Sequence, residues 1–217
     1  MYTTLLDLML PERCAACGAR GHGLCHACRG AAAGLHLPDG GPLRVGPSVI
    51  AVAAYQYDGV IASAVRAVKR PGRHAAAVHL GALLWAQIDA VVGAAAMWPR
   101  TWLPSTATRL RRRGADVPRL LAGSGAVAML DRVRQTSDQT ALDGARRRAL
   151  SSDDFRPCRD VPPHVVLVDD VRTTGATARA AATALQAGGA TRVLVVSLAA
   201  VVRGAEPARS FRAKSVL

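Results

Sequence analysis

Two groups of residues carry the side-chain types and spacing that chemistry needs. The first is Cys14, Cys17, Cys25 and Cys28, a C-x2-C-x7-C-x2-C array. Each C-x2-C pair can grip one ion from a tight turn, and four thiolates complete the tetrahedron that structural zinc prefers, leaving no open position for catalysis. A thioredoxin-like redox pair is the rival for one C-x2-C, but no strand of that type precedes it. Haem attachment requires His directly after the second Cys of a pair, and Gly18 and Arg29 stand there instead. His22 and His26 are alternative ligands that four cysteines make unnecessary, and Cys158 stands alone. So short a segment cannot hold itself with a hydrophobic core, so the metal would staple it; a nucleic-acid-binding knuckle is the other use.

The second group lies in VVLVDDVRTTGAT, residues 165 to 177. Val165 to Val168 read as a buried strand, which puts Asp169 and Asp170 at its carboxyl end, where ligands bind in open parallel sheets. Adjacent carboxylates there can accept hydrogen bonds from vicinal hydroxyls such as those of a ribose. Thr173, Thr174, Gly175 and Thr177 then lead into a helix. Small residues leave backbone N–H groups free, hydroxyls add donors, and the helix N-terminus favours an anion. Ribose hydroxyls and a 5-phosphate therefore fit side by side. An acidic strand end and a threonine cap also occur without any ligand, but here apolar strand, acidic pair, T-T-G-x-T and helix follow in order. A Walker-B reading lacks its G-x-x-x-x-G-K-[ST] partner, and the loose dinucleotide match at Gly123 to Ala128 follows a helical segment rather than a strand.

These groups need elements to position them. Residues 164 to 169 read as a strand, 177 to 187 as a helix stopped by Gly188 and Gly189, and 192 to 199 as a second strand, together a β-α-β unit. Such strands are buried on both faces, which explains why HVVLV and RVLVVSLA are continuous apolar runs. Upstream, 50 to 57 reads as a strand, and 58 to 69 and 75 to 92 as helices. The run TWLPST, an arginine cluster (Arg109, Arg111, Arg112, Arg113) and a mostly helical VPRLLAGSGAVAML come next. Residues 132 to 163 are expected to form a loop with one helix near 141 to 150. The fold class is α/β with a mainly parallel sheet flanked by helices. The Gly/Pro-rich HLPDGGPLRVGP reads as a linker, dividing a zinc-binding module at 1–47 from the main domain at 48–217.

The chain of 217 residues carries a net charge of +13, and only Lys69 and Lys214 among its 28 basic residues are lysine. This balance favours polyanions such as nucleic acid or phosphorylated metabolites without choosing among them. Aromatic residues make up 4% of the chain, too few for an extended base-stacking platform, and Trp85, Trp98 and Trp102 read as core. The arginines at 109 to 113 and 146 to 148 suit either phosphate contacts or a solvated face. No run approaches the ~18 consecutive apolar residues of a membrane span. The segment MYTTLLDLML lacks a basic leader, so a cytoplasmic location is expected.

The stretch from Val165 to Ala199 resembles the signature of type I phosphoribosyltransferases, and specifically of the ComF family. That narrower resemblance extends to LLDLMLPERCAACG, YQYDGVIASAVRAVK, LPSTATRLRRRG and QTALDGARRRALSSDDF, and so covers nearly the whole chain. It implies that Asp169 and Asp170 hold the ribose hydroxyls of phosphoribosyl pyrophosphate, and Thr173, Thr174, Gly175 and Thr177 its 5-phosphate. Pro104, Arg109, Arg113 and Gly114 would approach the pyrophosphate, with magnesium arriving on that ligand. Gln139, Arg147 and Phe155 would form a hood. The resemblance also implies an association with natural competence and incoming single-stranded DNA, so a nucleic-acid-binding accessory role stands beside phosphoribosyl transfer to an acceptor that the sequence does not name. Two positions depart from the family pattern: Ala115-Asp116-Val117 replaces F-N-Q after the glycine, and Leu150 stands where Asn is usual. Both bear on the loops of a second-substrate pocket rather than on the phosphoribosyl site.

Overall fold

The uninterrupted apolar runs HVVLV and RVLVVSLA need cover on both faces, and they obtain it at the centre of a five-stranded sheet. The computed structural model describes residues 13–20, 23–133 and 154–202. In chain order they form α1 (His26–Ala33), β1 (Leu43–Gly46), β2 (Val49–Gln56), α2 (Gly59–Val68), α3 (Ala75–Val92) with a 3-10 turn (Gly93–Met97), and β3 (Arg100–Trp102). There follow α4 (Ala107–Arg113), α5 (Val117–Ala122), β4 (Leu130–Arg132), β5 (Phe155–Pro157), β6 (His164–Arg172), α6 (Ala176–Ala187) and β7 (Arg192–Ala200). The sheet order is β1-β2-β7-β6-β3, parallel except for β1, and β4 pairs with β5 in a separate antiparallel ribbon.

The chain moves along the sheet in opposite directions between β2 and β3 and between β6 and β7. Right-handed crossovers then put the connecting helices on opposite faces. On one face Val52, Val166, Val168, Leu194 and Val196 pack with α2, α3 and α5; on the other Val165, Leu167, Val193 and Val195 pack with α6. Alanines at 178, 180, 181, 182 and 184 allow α6 to lie close to the strands. The α/β class with a mostly parallel sheet is therefore as the sequence pattern predicts.

Four local expectations change. β6 continues to Arg172 because Asp169, Val171 and Arg172 pair with Ser197, Ala199 and Ala200, so the acidic pair lies within the strand. The stretch read as a linker contains β1, an edge strand of the main sheet, and Cys14, Ala15, Leu24, Cys28 and Ala32 share the core of α2 and α3. The helix after the arginines ends at Ala122, where Gly123 takes a φ of +88 that stops it, and residues 130 to 132 become β4. Phe155 is buried in β5 rather than placed in a hood. Gln139, Arg147, Leu150 and the helix expected near 141 to 150 lie outside the described residues.

Helix α3 with its 3-10 extension, Ala75–Met97, is long and apolar enough by composition to cross a membrane, which counting strictly consecutive apolar residues misses. In the fold, Ala77, Leu80, Gly81, Leu84, Trp85 and Ile88 make one buried stripe at helical spacing. Gly81 lets α3 meet α5 closely: a Cβ there would lie 2.9 Å from the carbonyl oxygen of Leu121 and 3.1 Å from its Cα. Four residues on, the Trp85 indole N–H donates to that same carbonyl at 2.9 Å. Gly81→Ala should destabilise the chain by about 1–3 kcal/mol in chemical denaturation, since two backbones must part; an unchanged midpoint would show that α5 yields freely.

Candidate functional site

Residues far apart in the sequence, from Lys69 to Thr177, line one cavity of about 230 Å3 at the carboxyl ends of β3 and β6. β6 contributes Asp169 and Asp170, the loop after β3 contributes Pro104 and Ser105, and α4 contributes Arg109 and Arg113. Thr177, in the first turn of α6, completes the side nearest the β6–α6 turn. Of the residues singled out in the sequence, Asp169, Asp170, Arg109, Arg113 and Thr177 thus come together. Thr173, Thr174 and Gly175 form the adjoining β6–α6 turn rather than the cavity wall.

Helix α4 aims its arginines by spacing. Thr106 caps it, its Oγ1 accepting the Arg109 N–H at 3.2 Å, and Gly114 closes it with a φ of +82. Positions 109 and 113 are one turn apart and face the cavity, whereas Arg111 and Arg112 are exposed and do not line it. The Arg113 Nε is buried without a hydrogen-bond partner, a donor aimed at no protein acceptor.

Two further cations stand in the wall: Lys69, directly after α2, and Arg132 of β4. The Lys69 ammonium lies 2.7 Å from Asp170 Oδ2. Arg132 Nη1 donates to the Pro104 carbonyl at 3.4 Å, and its guanidinium sits 5.0 Å from the centre of the Phe155 ring. Burial, then the nearby charge of Arg109, lowers the Arg132 pKa. Arg132 has no local motif, and Lys69 ends the stretch YQYDGVIASAVRAVK without a role having been read for it. Lys69 is one of two lysines in an arginine-rich chain, and that rarity was the available signal.

Asp169 is nearly fully enclosed, and its Oδ1 accepts the Asp170 N–H at 2.7 Å. Burial first, then the Asp170 charge, pushes its carboxyl up to about 8, against the pull of the Asp170 N–H and Lys69. Burial thus favours its neutral form, next to an Asp170 side chain held by Lys69. A site of this kind presents both a donor and an acceptor to neighbouring hydroxyls. Asp116 braces the loop opposite: Oδ1 accepts from Ser105 Oγ at 2.9 Å and Oδ2 from the Ser105 N–H at 3.2 Å. Its pKa is raised by burial despite those bonds.

The turn between β6 and α6 depends on Gly175. Its φ is +77, and a Cβ there would meet Val45 Cγ1 at 2.6 Å. Glycine thus supplies both the left-handed turn and the close packing of β1 beneath it. No side chain caps α6 at Gly175, and the nearest hydroxyl, Thr174 Oγ1, accepts the Ala176 N–H at 3.4 Å. The helix entrance is left with donors for an anion.

At the other end of α2 the four cysteines converge. Their sulfur atoms all lie within 4.8 Å of one another, and Cys17 Sγ is 3.7 Å from Cys25 Sγ. A tetrahedron of zinc–sulfur bonds of about 2.3 Å has edges of ~3.8 Å, whereas a disulfide needs about 2.05 Å. Burial raises the Cys14 thiol, but N–H groups of Cys17, Cys25 and Ala16 outweigh it and bring the thiol down to about 6. Burial and hydrogen bonds from the three other thiols hold Cys28 well above its usual range. The donors suit a structural metal ion such as zinc.

Compared with known proteins, the chain matches no protein-family model and no curated protein.

Two outcomes follow from this geometry. Burial pushes the folded Asp169 carboxyl from its ordinary 3.8 up to about 8, so the contribution of this group to stability is fully present below pH ~4 and is lost as pH rises through about 8. Asp169→Asn should flatten that slope in denaturation at pH 5, 7 and 9 and stabilise the protein most at pH 9; a variant as pH-dependent as the parent would refute the buried-acid assignment. Metal analysis should give about one zinc ion per chain, and chelation should lower the melting temperature. A metal-free protein with an unchanged melting curve would remove the stapling role.

Proposed function

We propose that this protein is a phosphoribosyltransferase-like chain of the ComF type that binds phosphoribosyl pyrophosphate with magnesium at the β3–β6 edge. The observation that carries the reading is the shared cavity: two adjacent acids within the carboxyl-terminal part of β6, opposite Lys69, Arg109, Arg113 and Arg132, with the entrance of α6 beside them. Asp169 and Asp170 bind the vicinal ribose hydroxyls as donor and acceptor. Thr173 to Thr177 and the free N–H groups of α6 take the 5-phosphate. The four cations take the pyrophosphate, with the buried Arg113 Nε supplying an unspent donor. Magnesium, carried by the pyrophosphate, screens its charge when bound. If transfer follows, a nitrogen nucleophile attacks the anomeric carbon as pyrophosphate leaves, and the arginines stabilise the departing charge.

The metal-suited cysteine array gives the fold a stapled N-terminal module. Its thiols are all free, which fits a reducing, cytoplasmic setting. A second reading is a single-stranded DNA-binding accessory protein for DNA uptake or processing that uses the cavity as a sensor. The net charge of +13 and the exposure of Arg111 and Arg112 outside the cavity favour it.

Calorimetric titration with phosphoribosyl pyrophosphate and magnesium tests the first reading. Binding is expected, and Asp169→Asn with Asp170→Asn should weaken it by at least about tenfold while the circular dichroism spectrum is retained. Equal affinity in the double variant would refute the ribose assignment. A panel of bases, amines and nucleotides then separates the two readings. Pyrophosphate release with any of them supports transfer, and none together with salt-sensitive single-strand binding supports the accessory role.

A further inference from the structure

The four cysteines are alike in sequence and unlike in the fold. Cys14 and Cys28 are buried in the core shared with α2 and α3, at 0% and 6% exposure, whereas Cys17 is exposed and Cys25 half-buried. Each C-x2-C pair thus supplies one buried and one accessible thiol. The two accessible sulfurs are close across the array, Cys17 Sγ lying 3.7 Å from Cys25 Sγ. A disulfide needs about 2.05 Å, so forming one here asks for less than ~2 Å of closure between two side chains that are not locked in the core.

The surroundings favour a reactive thiolate at Cys17. It lines a cavity of about 470 Å3 whose wall also carries Arg66, and Cys28 touches that cavity from its buried side. The acid in the same wall, Asp58, accepts the Gly59 N–H at 2.7 Å. Arg13 and Arg20 pair across the first cysteine turn, and Arg13 Nη1 donates to the Gly18 carbonyl at 3.1 Å. Arg29 Nε donates to the Leu24 carbonyl at 2.9 Å. In these bonds the guanidinium groups meet neutral carbonyls, so positive charge remains beside the array. Accessible cysteines in positive surroundings are the ones that oxidants find.

We propose that Cys17 and Cys25 form a site of reversible oxidation by hydroperoxides, which exchanges the metal ion for a disulfide. The Cys17 thiolate attacks a peroxide oxygen; an S–O bond forms, the O–O bond breaks and hydroxide leaves, so the sulfur becomes a sulfenic acid. The Cys25 thiolate then attacks that sulfur; an S–S bond forms, the S–O bond breaks and a second hydroxide leaves. Two sulfurs lose two electrons in all, and the peroxide oxygens gain them. With two of its four ligands spent, the metal ion is released, and Cys14 and Cys28 stay behind as buried thiols. A dithiol reductant reverses the exchange and returns a set that rebinds the metal. Release of metal rests on the reading of the array as a zinc site, whereas the pairing of Cys17 with Cys25 rests on their positions alone.

The full zinc-loaded chain would be treated with hydrogen peroxide and its remaining thiols capped with iodoacetamide. Peptide mass spectrometry then maps the disulfides, and a chromogenic chelator follows the freed metal. One zinc ion is expected to leave per Cys17–Cys25 disulfide formed, and dithiothreitol with added zinc should restore the starting state. Cys158→Ser should oxidise at an unchanged rate, because that thiol lies outside the array; a slower variant would place the resolving thiol elsewhere and overturn the proposal. Cys17→Ser should slow peroxide-driven release by at least about tenfold. Should that variant hold no zinc, the disulfide map of the unaltered chain decides alone. A disulfide between any other two of the four cysteines overturns the pairing, as does irreversible release with sulfinic acids in place of a disulfide. A chain that keeps its zinc and its thiols in excess peroxide overturns the site altogether. A chain isolated without metal that still forms the Cys17–Cys25 disulfide would refute the zinc staple and leave the oxidation site standing.

Discussion

Two carboxyl groups on adjacent residues within a largely buried strand are costly unless their charge is managed, and much of the surrounding structure manages it. Asp169 is driven toward its neutral form, and its Oδ1 takes the Asp170 N–H. Asp170 is paired with Lys69, which α2 delivers from the neighbouring helical layer. The remaining cations come from α4 and β4, and Asp116 fixes the loop between them and the sheet through Ser105. The wall is therefore rich in positive charge facing a pair that carries only part of its formal negative charge. Such an imbalance favours an anionic ligand that also has hydroxyls to offer.

The same strand fastens the N-terminal part to the sheet. Because β6 runs to Arg172, that guanidinium reaches the Gly41 carbonyl at 2.6 Å, while Gly175 lets the following turn rest on Val45 of β1. Edge strand, β6–α6 turn and acidic pair are thus one mechanical unit. The cysteine array enters the core shared by α2 and α3, so a metal held there steadies the helix that ends at Lys69.

Much of this was legible because it is local. The β-α-β unit announces itself by two apolar runs around a helix with a glycine stop, and the cysteine spacing specifies its own geometry. The strand end at 169 was misjudged because polarity marks where burial lessens, not where pairing stops; β7 offered partners as far as Ala200. β1 was hidden because Gly and Pro mark turns in a linker and in an edge hairpin alike. The role of Asp116 looked like a departure from a pattern, since its partner Ser105 lies on another loop.

By itself the sequence determined the α/β class, the metal-suited cysteines, and an acidic pair running into a phosphate-type turn. Those features depend on residues within about one turn or one strand of each other, where spacing alone dictates geometry. Only the tertiary structure decided that Lys69, Arg109, Arg113 and Arg132 would face that acidic pair. Such meetings rest on sheet order and on the hand of the crossovers, which bring together residues that no local pattern connects.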